Sequence, residues 1–334
     1  MKTIFLANDR TKVESVYSAE TMERLTRLTD IDVSAIYCKD DVLADPAKFA
    51  EVEYIFTTWS MPGFEEEEIK AYLPSVKAVF YAAGSVQYFA RQFIHCGAKV
   101  FSSWAANAVP VAEFTVAEIL LANKGFYVSA QLQKEGKRQE AMDYVLAHRG
   151  NYGCTVGIIG AGMIGALTIE LLKAFKLKVL VFDPFLSDER AEKLGVEKCS
   201  LERIFSECSV ISNHLANNAQ TKGMLNGKLF ALMQDYATFL NTGRGAQVVE
   251  EDLIEALEKN PTLTAVLDVT EPEPPLPDSK FYTLPNVILT PHAAGSQSDE
   301  FHRMSEYAVN EYEKLVSGQP TSYEVTLKML ETMA

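Results

Sequence analysis

The sequence contains little cysteine: five residues among 334, none of them in a C-x-x-C pair. An odd and scattered set predicts neither a disulfide framework nor a zinc site, so we predict no metal ligands. Reduced thiols are typical of a cytoplasmic protein, and this is the location that we predict. The cysteines are Cys38, Cys96, Cys154, Cys199 and Cys208.

Positive charge is also scarce. The 31 Lys and Arg are outnumbered by 45 Asp and Glu, and the formal net charge is −14. Nucleic acid is therefore not an expected partner, because phosphate binding depends on clustered Lys and Arg. No stretch approaches the ~18 consecutive apolar residues of a membrane span, so we predict no membrane association. The first residues meet Asp9 and Arg10 too early for a signal peptide.

The chain does contain a regular alternation of strand and helix patterns. Apolar strand candidates recur through residues 1–101 and again through residues 154–290, with helical stretches between most of them. This order is typical of parallel sheets covered by helices. Because 334 residues exceed one typical domain, we predict an α/β protein with two doubly wound parallel sheets. Residues 126–150 lack a strand pattern and form either an arm on a neighbouring subunit or a surface linker.

A glycine-rich turn, TVGIIGAGMIG at residues 155–165, follows an apolar strand and precedes a helix. In such a turn Gly160 allows the tight bend, Gly162 lets a pyrophosphate approach the backbone, and Gly165 packs helix on strand. The next strand ends at Asp183, 18 residues past the last glycine, which suits a ribose-binding carboxylate. The pattern predicts NAD over NADP, because no arginine follows closely and Arg190 is seven positions on.

Polar residues stand at the ends of two later strands. Arg244 is flanked by glycines in NTGRGAQVVE, where a guanidinium offers a bidentate grip on a carboxylate. A surface arginine in a turn gives the same pattern. Asp268 ends the apolar strand LTAVLDV, and a polar residue in that position needs a partner such as an arginine.

The same sheet edge offers an acid and a histidine, each with a rival. Glu271 and Glu273 both lie in DVTEPEPPLP, and spacing alone does not choose between them. His292 follows the strand VILTP, while His214 ends another strand. We favour His292, because it shares its edge with an arginine and an acid beside the predicted cofactor site.

Together these motifs resemble the D-2-hydroxyacid dehydrogenases, which reduce 2-keto acids with NADH. The matching stretches begin near Ala105 and are AANAVPVAEFTVAEILL, VGIIGAGMIG, VFDP, LNTGRGAQVVEEDLIEAL, LDVTEPEPPLP and LTPHAAG, with a looser match in FYAAGSVQYF. The resemblance implies that Arg244 binds the substrate carboxylate, that His292 is the general acid and that Glu273 is its partner.

The resemblance also implies the fold and further contacts. It places an NAD-binding Rossmann domain, residues 105–297, inside a Rossmann-like or flavodoxin-like substrate domain, residues 1–104 and 298–334. The implied NAD contacts are Gly160, Gly162, Met163, Ile164, Gly165, Asp183, His214, Thr242, Gly243, Asp268 and His292. The implied substrate contacts are Ala83, Gly84, Ser85, Val86 and Arg244.

The sequence departs from the family at two positions. Ala216 stands where a proline is usual, and Trp104 where smaller polar residues are common; both bear on which substrate is used. Formate dehydrogenases of the same fold have glutamine where this chain has Glu273, which argues against that reaction.

The resemblance implies a mechanism and partners. A carboxylate beside an imidazole favours the charged imidazolium, so Glu273 keeps His292 protonated to donate to the substrate oxygen. The implied partners are a small 2-keto or 2-hydroxy acid and a second copy of the chain, paired through the nucleotide domain. The alternative is an NAD(H)-sensing binding protein of the same fold, like the corepressors of this family, which turnover of 2-keto acids with NADH would distinguish.

Overall fold

The computed structural model describes residues 2–331, and the chain divides into two compact units. The terminal unit comprises Met1–Asn107 and Ser296–Ala334, and the inserted unit comprises Ala108–Gly295. Each unit contains a sheet of mainly parallel strands, which confirms the predicted fold class. The predicted domain boundaries lie at 104/105 and 297/298, whereas the two units meet at 107/108 and 295/296.

The strands follow the apolar runs of the sequence. In chain order they are β1 Thr3–Leu6, β2 Ile36–Tyr37, β3 Tyr54–Thr57, β4 Ala78–Tyr81, β5 Lys99–Ser102, β6 Tyr152–Ile159, β7 Lys176–Phe182, β8 Glu197–Lys198, β9 Val210–Asn213, β10 Thr238–Asn241, β11 Thr264–Leu267, β12 Val287–Leu289 and β13 Glu324–Val325.

The helices lie mostly between strands, as the alternation predicts. They are α1 Arg10–Val16, α2 Ala19–Leu28, α3 Lys39–Ala44, α4 Pro46–Phe49, α5 Glu66–Tyr72, α6 Ala90–His95, α7 Trp104–Ala122, α8 Phe126–Lys134, α9 Arg138–Ala147, α10 Met163–Leu172, α11 Asp188–Leu194, α12 Leu201–Glu207, α13 Gly227–Phe230, α14 Glu250–Lys259 and α15 Glu300–Val316. Short 3₁₀ turns occur at Gly245–Gln247, Lys280–Tyr282 and Met329–Glu331.

The sheet of the terminal unit has the order β13-β5-β4-β3-β1-β2. Its centre is aromatic, because Phe56, Phe80 and Phe101 occupy paired positions on neighbouring strands. Their rings stack with centroids 5.0 Å apart in each step, a cross-strand contact that stabilises the register. The antiparallel edge strand β13 was not predicted, since two residues are too short to show a pattern.

The sheet of the inserted unit has the order β12-β11-β10-β9-β6-β7-β8. Successive residues face opposite sides of a strand, and Ile158 and Ile159 accordingly enter two different apolar clusters. Phe239 and Leu240, which are adjacent on β10, also belong to these two different clusters. The sheet is therefore buried on both faces. The strand order changes direction between β6 and β9, and ligands of such sheets bind beyond the carboxyl ends of the strands at this point.

One described helix, α7, is long and apolar enough to cross a membrane by length and composition alone. However, 56% of its apolar window is buried inside the structure, and the core helix of a folded domain passes the same test. The helix also contains Pro110 and two acidic residues, Glu113 and Glu118. The finding is weak evidence for a membrane span.

Residues 126–150 form the two helices α8 and α9. The Tyr144 hydroxyl lies 3.1 Å from the Thr264 hydroxyl at the start of β11, which attaches α9 to the amino-terminal edge of the sheet. Three large apolar side chains of this pair are exposed: Phe126, Met142 and Leu146.

Candidate active site

The glycine-rich turn has the geometry of a phosphate cradle. Gly160 has a φ of +92°, and a Cβ there would lie 2.8 Å from the His214 carbonyl oxygen. A Cβ on Gly165 would collide with the Gly160 carbonyl. By contrast, nothing lies within 4 Å of a Cβ on Gly162, the N-cap of α10. The backbone at the helix start is therefore open to a ligand, and its N–H groups suit a pyrophosphate.

Asp183 lies beside this turn. Parallel pairing aligns Ile159 with Phe182, so the residue after β7 meets the residues after β6. The Asp183 Oδ2 accepts from the Ala161 N–H at 2.7 Å, and its Oδ1 accepts from the Phe185 N–H at 2.7 Å. Each oxygen keeps a lone pair for a ribose hydroxyl.

The other predicted cofactor residues surround the same edge. Met163 and Ile164 begin α10, with Met163 exposed. Thr242 and Gly243 directly follow β10. The Thr242 hydroxyl is buried and lies 3.1 Å from the Thr115 hydroxyl, so its side chain is directed into the unit rather than out of it.

Arg244 occupies the loop after β10. Its Nη1 donates to the Gly243 carbonyl at 2.8 Å, and the other guanidinium nitrogens have no acceptor in the described part of the chain. Burial lowers the pKa of Arg244, and the negative charge of Glu273 partly offsets this effect. The arginine is therefore close enough to Glu273 to sense its charge.

A network of buried amides holds this loop, and the sequence reasoning missed it. Gln247 is fully buried; its Oε1 accepts from the Arg244 N–H at 3.2 Å and from the Asn213 Nδ2 at 2.6 Å. Its Nε2 donates to the Leu215 carbonyl at 2.7 Å. The Asn241 Nδ2 donates to the Arg244 carbonyl at 3.1 Å. The sequence contained one indication of this network: Asn213 and Asn241 are polar residues at the ends of the apolar strands β9 and β10.

Asp268 has hydrogen-bond partners, as expected, but among the described residues none of them is the arginine that was suggested. Its Oδ1 accepts from the Thr290 hydroxyl at 2.5 Å and from the Ala293 N–H at 2.7 Å, and its Oδ2 accepts from the Ala294 N–H at 3.0 Å. The carboxylate is 2% exposed. Backbone N–H groups satisfy it, and in return it shapes the loop that carries His292.

His292 is at the centre of that loop and touches Glu273. The ring Nδ1 lies 2.7 Å from the Glu273 Oε1, so Nδ1 donates and Nε2 is directed elsewhere. The backbone of His292 has a φ of +55°, which is unusual for a residue with a side chain. Its N–H donates to the Asp268 carbonyl at 3.1 Å. Strain of this kind is found at functional sites when the surroundings impose it.

The structure separates the two rival acids. Glu273 contacts His292, whereas the backbone N–H of Glu271 donates to the Glu250 Oε1 at 2.8 Å. Burial raises the pKa of Glu250, and its hydrogen bond to Glu271 lowers it. Glu271 thus anchors the loop through its backbone, and its side chain is exposed.

The rival histidine, His214, is in a different state. Burial lowers the pKa of His214 to about 4, so the ring is neutral near pH 7. Its Nε2 lies 2.9 Å from the Ser212 hydroxyl, and its buried Nδ1 has no partner among the described residues. A neutral ring is a poor proton donor for ketone reduction.

In the terminal unit, the predicted substrate loop follows β4. The side chains of Ala83 and Val86 are buried, so only Gly84 and Ser85 are accessible. The Ser102 hydroxyl holds the loop, at 3.0 Å from the Ala83 carbonyl and 2.5 Å from the Gly84 carbonyl. Among residues 2–331, the N–H groups of Gly84, Ser85 and Val86 have no acceptor, which suits an anion.

Comparison with known proteins identifies similar chains. Residues 116–294 match the family described as "D-isomer specific 2-hydroxyacid dehydrogenase, NAD binding domain". A D-3-phosphoglycerate dehydrogenase of Archaeoglobus fulgidus is 31% identical over 235 residues, covering 70% of this chain and 44% of that protein. A glyoxylate reductase of Korarchaeum cryptofilum is 30% identical over 227 residues, 68% of each chain.

The fold as a whole has solved counterparts. The structure of a D-mandelate dehydrogenase from Rhodotorula graminis superimposes with a TM-score of 0.83 over 97% of both chains, at 18% identity. At this identity the likeness shows the fold alone. The chain spans between a third and three fifths of the length of several curated relatives that it matches.

Proposed function

Because the chain belongs to the family of D-isomer specific 2-hydroxyacid dehydrogenases, we propose that it interconverts a 2-keto acid and a D-2-hydroxy acid with NAD. The observation that carries this proposal is the contact between His292 and Glu273 at 2.7 Å. It lies on the same sheet edge as Arg244 and the glycine-rich turn, so a proton donor, a cation and a nucleotide cradle occur together.

The residues of the inserted unit fit the cofactor. Gly162 and the start of α10 offer open backbone for the pyrophosphate, and Asp183 offers acceptors for the ribose hydroxyls. NADH, when bound, supplies the hydride that reduces the substrate carbonyl. Thr242, Gly243 and Asp268 are proposed as further cofactor contacts through their backbone, because the side chains of Thr242 and Asp268 are hydrogen-bonded within the unit.

His292 is proposed as the general acid. Glu273 accepts a hydrogen bond from Nδ1 and so fixes the orientation of the ring. The Nε2 proton is then available for the oxygen of the carbonyl group, and in the reverse direction the neutral ring accepts it from the hydroxyl.

Arg244 is proposed to bind the substrate carboxylate. Among the described residues its guanidinium donates only to the Gly243 carbonyl, so the remaining N–H groups are available to a carboxylate. From the resemblance, we further propose carboxylate contacts for the loop at residues 83–86, where three backbone N–H groups have no acceptor among residues 2–331.

We also propose that the chain is a cytoplasmic homodimer. The resemblance implies pairing through the nucleotide domain, and the exposed Phe126, Met142 and Leu146 on α8 and α9 support it. Light scattering of the purified chain tests this, and a monomeric mass at micromolar concentration would contradict it.

The activity is tested by the loss of NADH absorbance with a panel of 2-keto acids, covering glyoxylate, hydroxypyruvate, its phosphate ester, pyruvate and phenylglyoxylate. His292→Ala should lower the rate by ~10²–10⁴-fold. The matched control is His95→Ala, which removes another histidine–carboxylate contact of 2.7 Å, to Glu66, far from the predicted site in the sequence. Binding of NADH without turnover of any acid would favour a sensor, and an active His292→Ala would end the mechanism.

A further inference from the structure

The guanidinium of Arg190 contacts the glycine-rich turn. Its Nη2 donates to the Ala161 carbonyl at 2.9 Å, while Asp183 accepts from the N–H of the same residue at 2.7 Å. In the sequence Arg190 is seven positions after Asp183. If the chain between them were extended, the two side chains would be too far apart to contact the same turn. The chain turns at Ser187, the N-cap of α11, and the first turn of that helix brings the arginine back.

The positive charge of Arg190 is not neutralised elsewhere. In the part of the chain that the structure describes, no carboxylate lies within ion-pair distance of its guanidinium, and the neighbouring Asp188 pairs instead with Lys198 at 2.8 Å. Because Asp183 and Arg190 hold the N–H and the carbonyl of one residue, their charged groups lie within about 9 Å of each other. A carboxylate and a free guanidinium therefore flank the turn together.

Holding the Ala161 carbonyl has a consequence for the next peptide. In a trans peptide the carbonyl and the following N–H point in opposite directions. The contact with Arg190 therefore directs the Gly162 N–H to the other side, and Gly162 is the position where the backbone is open. The arginine thus fixes the orientation of a group that suits a phosphate.

We propose that Arg190 determines cofactor specificity together with Asp183. This proposal rests on the proposed function. Arg190 positions the turn for any dinucleotide, and it is also a ready ligand for a 2′-phosphate, because arginine binds phosphate through its planar fork. Asp183 excludes NADPH because its carboxylate repels the 2′-phosphate, and Arg190 is the cation that would bind this phosphate once the carboxylate is removed.

The test is a fluorescence titration of NADH and NADPH binding, which needs no substrate. The variants are the parent, Asp183→Ser, Arg190→Ala and the double variant. Lys193→Ala, on the same helix and with the same loss of charge, is the control in both backgrounds. We expect Asp183→Ser to tighten NADPH binding roughly ten- to hundredfold, the effect of one charge-assisted contact. Arg190→Ala should remove this gain, and Lys193→Ala should leave it.

The outcomes separate the two proposals. If Asp183→Ser gains NADPH binding equally with and without Arg190, or gains none, the inference is overturned while the dehydrogenase proposal stands. If Arg190→Ala and Lys193→Ala lower this gain in NADPH binding equally, the effect is one of net charge, and the inference is also overturned. A parent chain that binds neither dinucleotide would remove the proposed function and this inference with it. The proposal is supported if Arg190→Ala abolishes the gain in NADPH binding of Asp183→Ser and Lys193→Ala does not.

Discussion

Replacing Asp268 by asparagine removes one charge and one acceptor from the loop of His292 at nearly constant volume. The amide oxygen of asparagine can keep the contacts of Oδ1 with Thr290 and Ala293. Its amide nitrogen, however, takes the place of Oδ2, which accepts from the Ala294 N–H at 3.0 Å. Two donors then face each other in a site that is 2% exposed.

The expected cost follows from these contacts. One buried donor left without a partner costs about 1–3 kcal/mol, and two further hydrogen bonds lose the strength that the charge gave them. We therefore expect the free energy of unfolding to fall by about 3 kcal/mol, and the melting temperature of a unit of this size by roughly 6–12 °C. A shift of the His292 ring by about 1 Å would lower the reduction rate by ~10²-fold.

Two measurements check this prediction: urea unfolding, and the rate of NADH-dependent reduction at a temperature where the variant is folded. Asp278→Asn is the matched control, because Asp278 is exposed in the following loop and should change neither quantity. If Asp268→Asn is as stable and as fast as the parent, then Asp268 does not shape the loop. If it unfolds more easily but reduces at the parental rate, the carboxylate stabilises the fold without positioning His292.

Three other predictions concern single residues. Arg244→Lys should lower kcat/KM for a 2-keto acid by about one to two decades, because an ammonium lacks the planar fork; parental kinetics would exclude Arg244 as the carboxylate ligand. Glu273→Gln should lower the reduction rate, because the Nδ1 of His292 loses its carboxylate acceptor, whereas Glu271→Gln should not; the opposite result in initial-rate measurements would transfer the role to Glu271. Burial lowers the pKa of His214 to about 4 from 6.5, so the unfolded chain takes up the proton first and the fold loses stability as the pH falls through this range. Denaturant unfolding should show His214→Asn lacking up to about 3 kcal/mol of this pH dependence.

The common location of the candidate residues could be predicted because parallel sheets leave little freedom. Arg244, Glu273 and His292 follow β10, β11 and β12, which are neighbours in one sheet. The carboxyl ends of neighbouring parallel strands meet at one edge, so polar residues after successive apolar runs lie together whatever the loops do. The spacing from Gly165 to Asp183 was informative for the same reason, since β6 and β7 pair directly.

The partners of these residues could not be predicted, because the backbone supplies many of them. Asp268 needed a donor, and an arginine was the natural candidate from residue types; the donors are a threonine and two N–H groups of its own loop. The choice between Glu271 and Glu273 depends on the path of a proline-rich loop, which has no periodicity. Arg190 was dismissed by counting positions along the chain, although a turn and a helix start return it to Ala161.

The three loops of the candidate site are built in the same way: in each, one residue holds the loop that carries a residue proposed to act in the reaction. Gln247 holds the Arg244 backbone, Asp268 holds the loop of His292, and Glu250 holds the loop of Glu273 through a backbone N–H. Gln247 and Asp268 are buried and Glu250 is half-buried, whereas Glu273 and His292 remain partly exposed. The anchoring residues thus fix the loops at the sheet edge, while the groups proposed to react stay accessible. It follows that substitutions at these anchors should slow the reaction without touching the substrate, and that an intact Arg244, Glu273 and His292 does not by itself guarantee a working site.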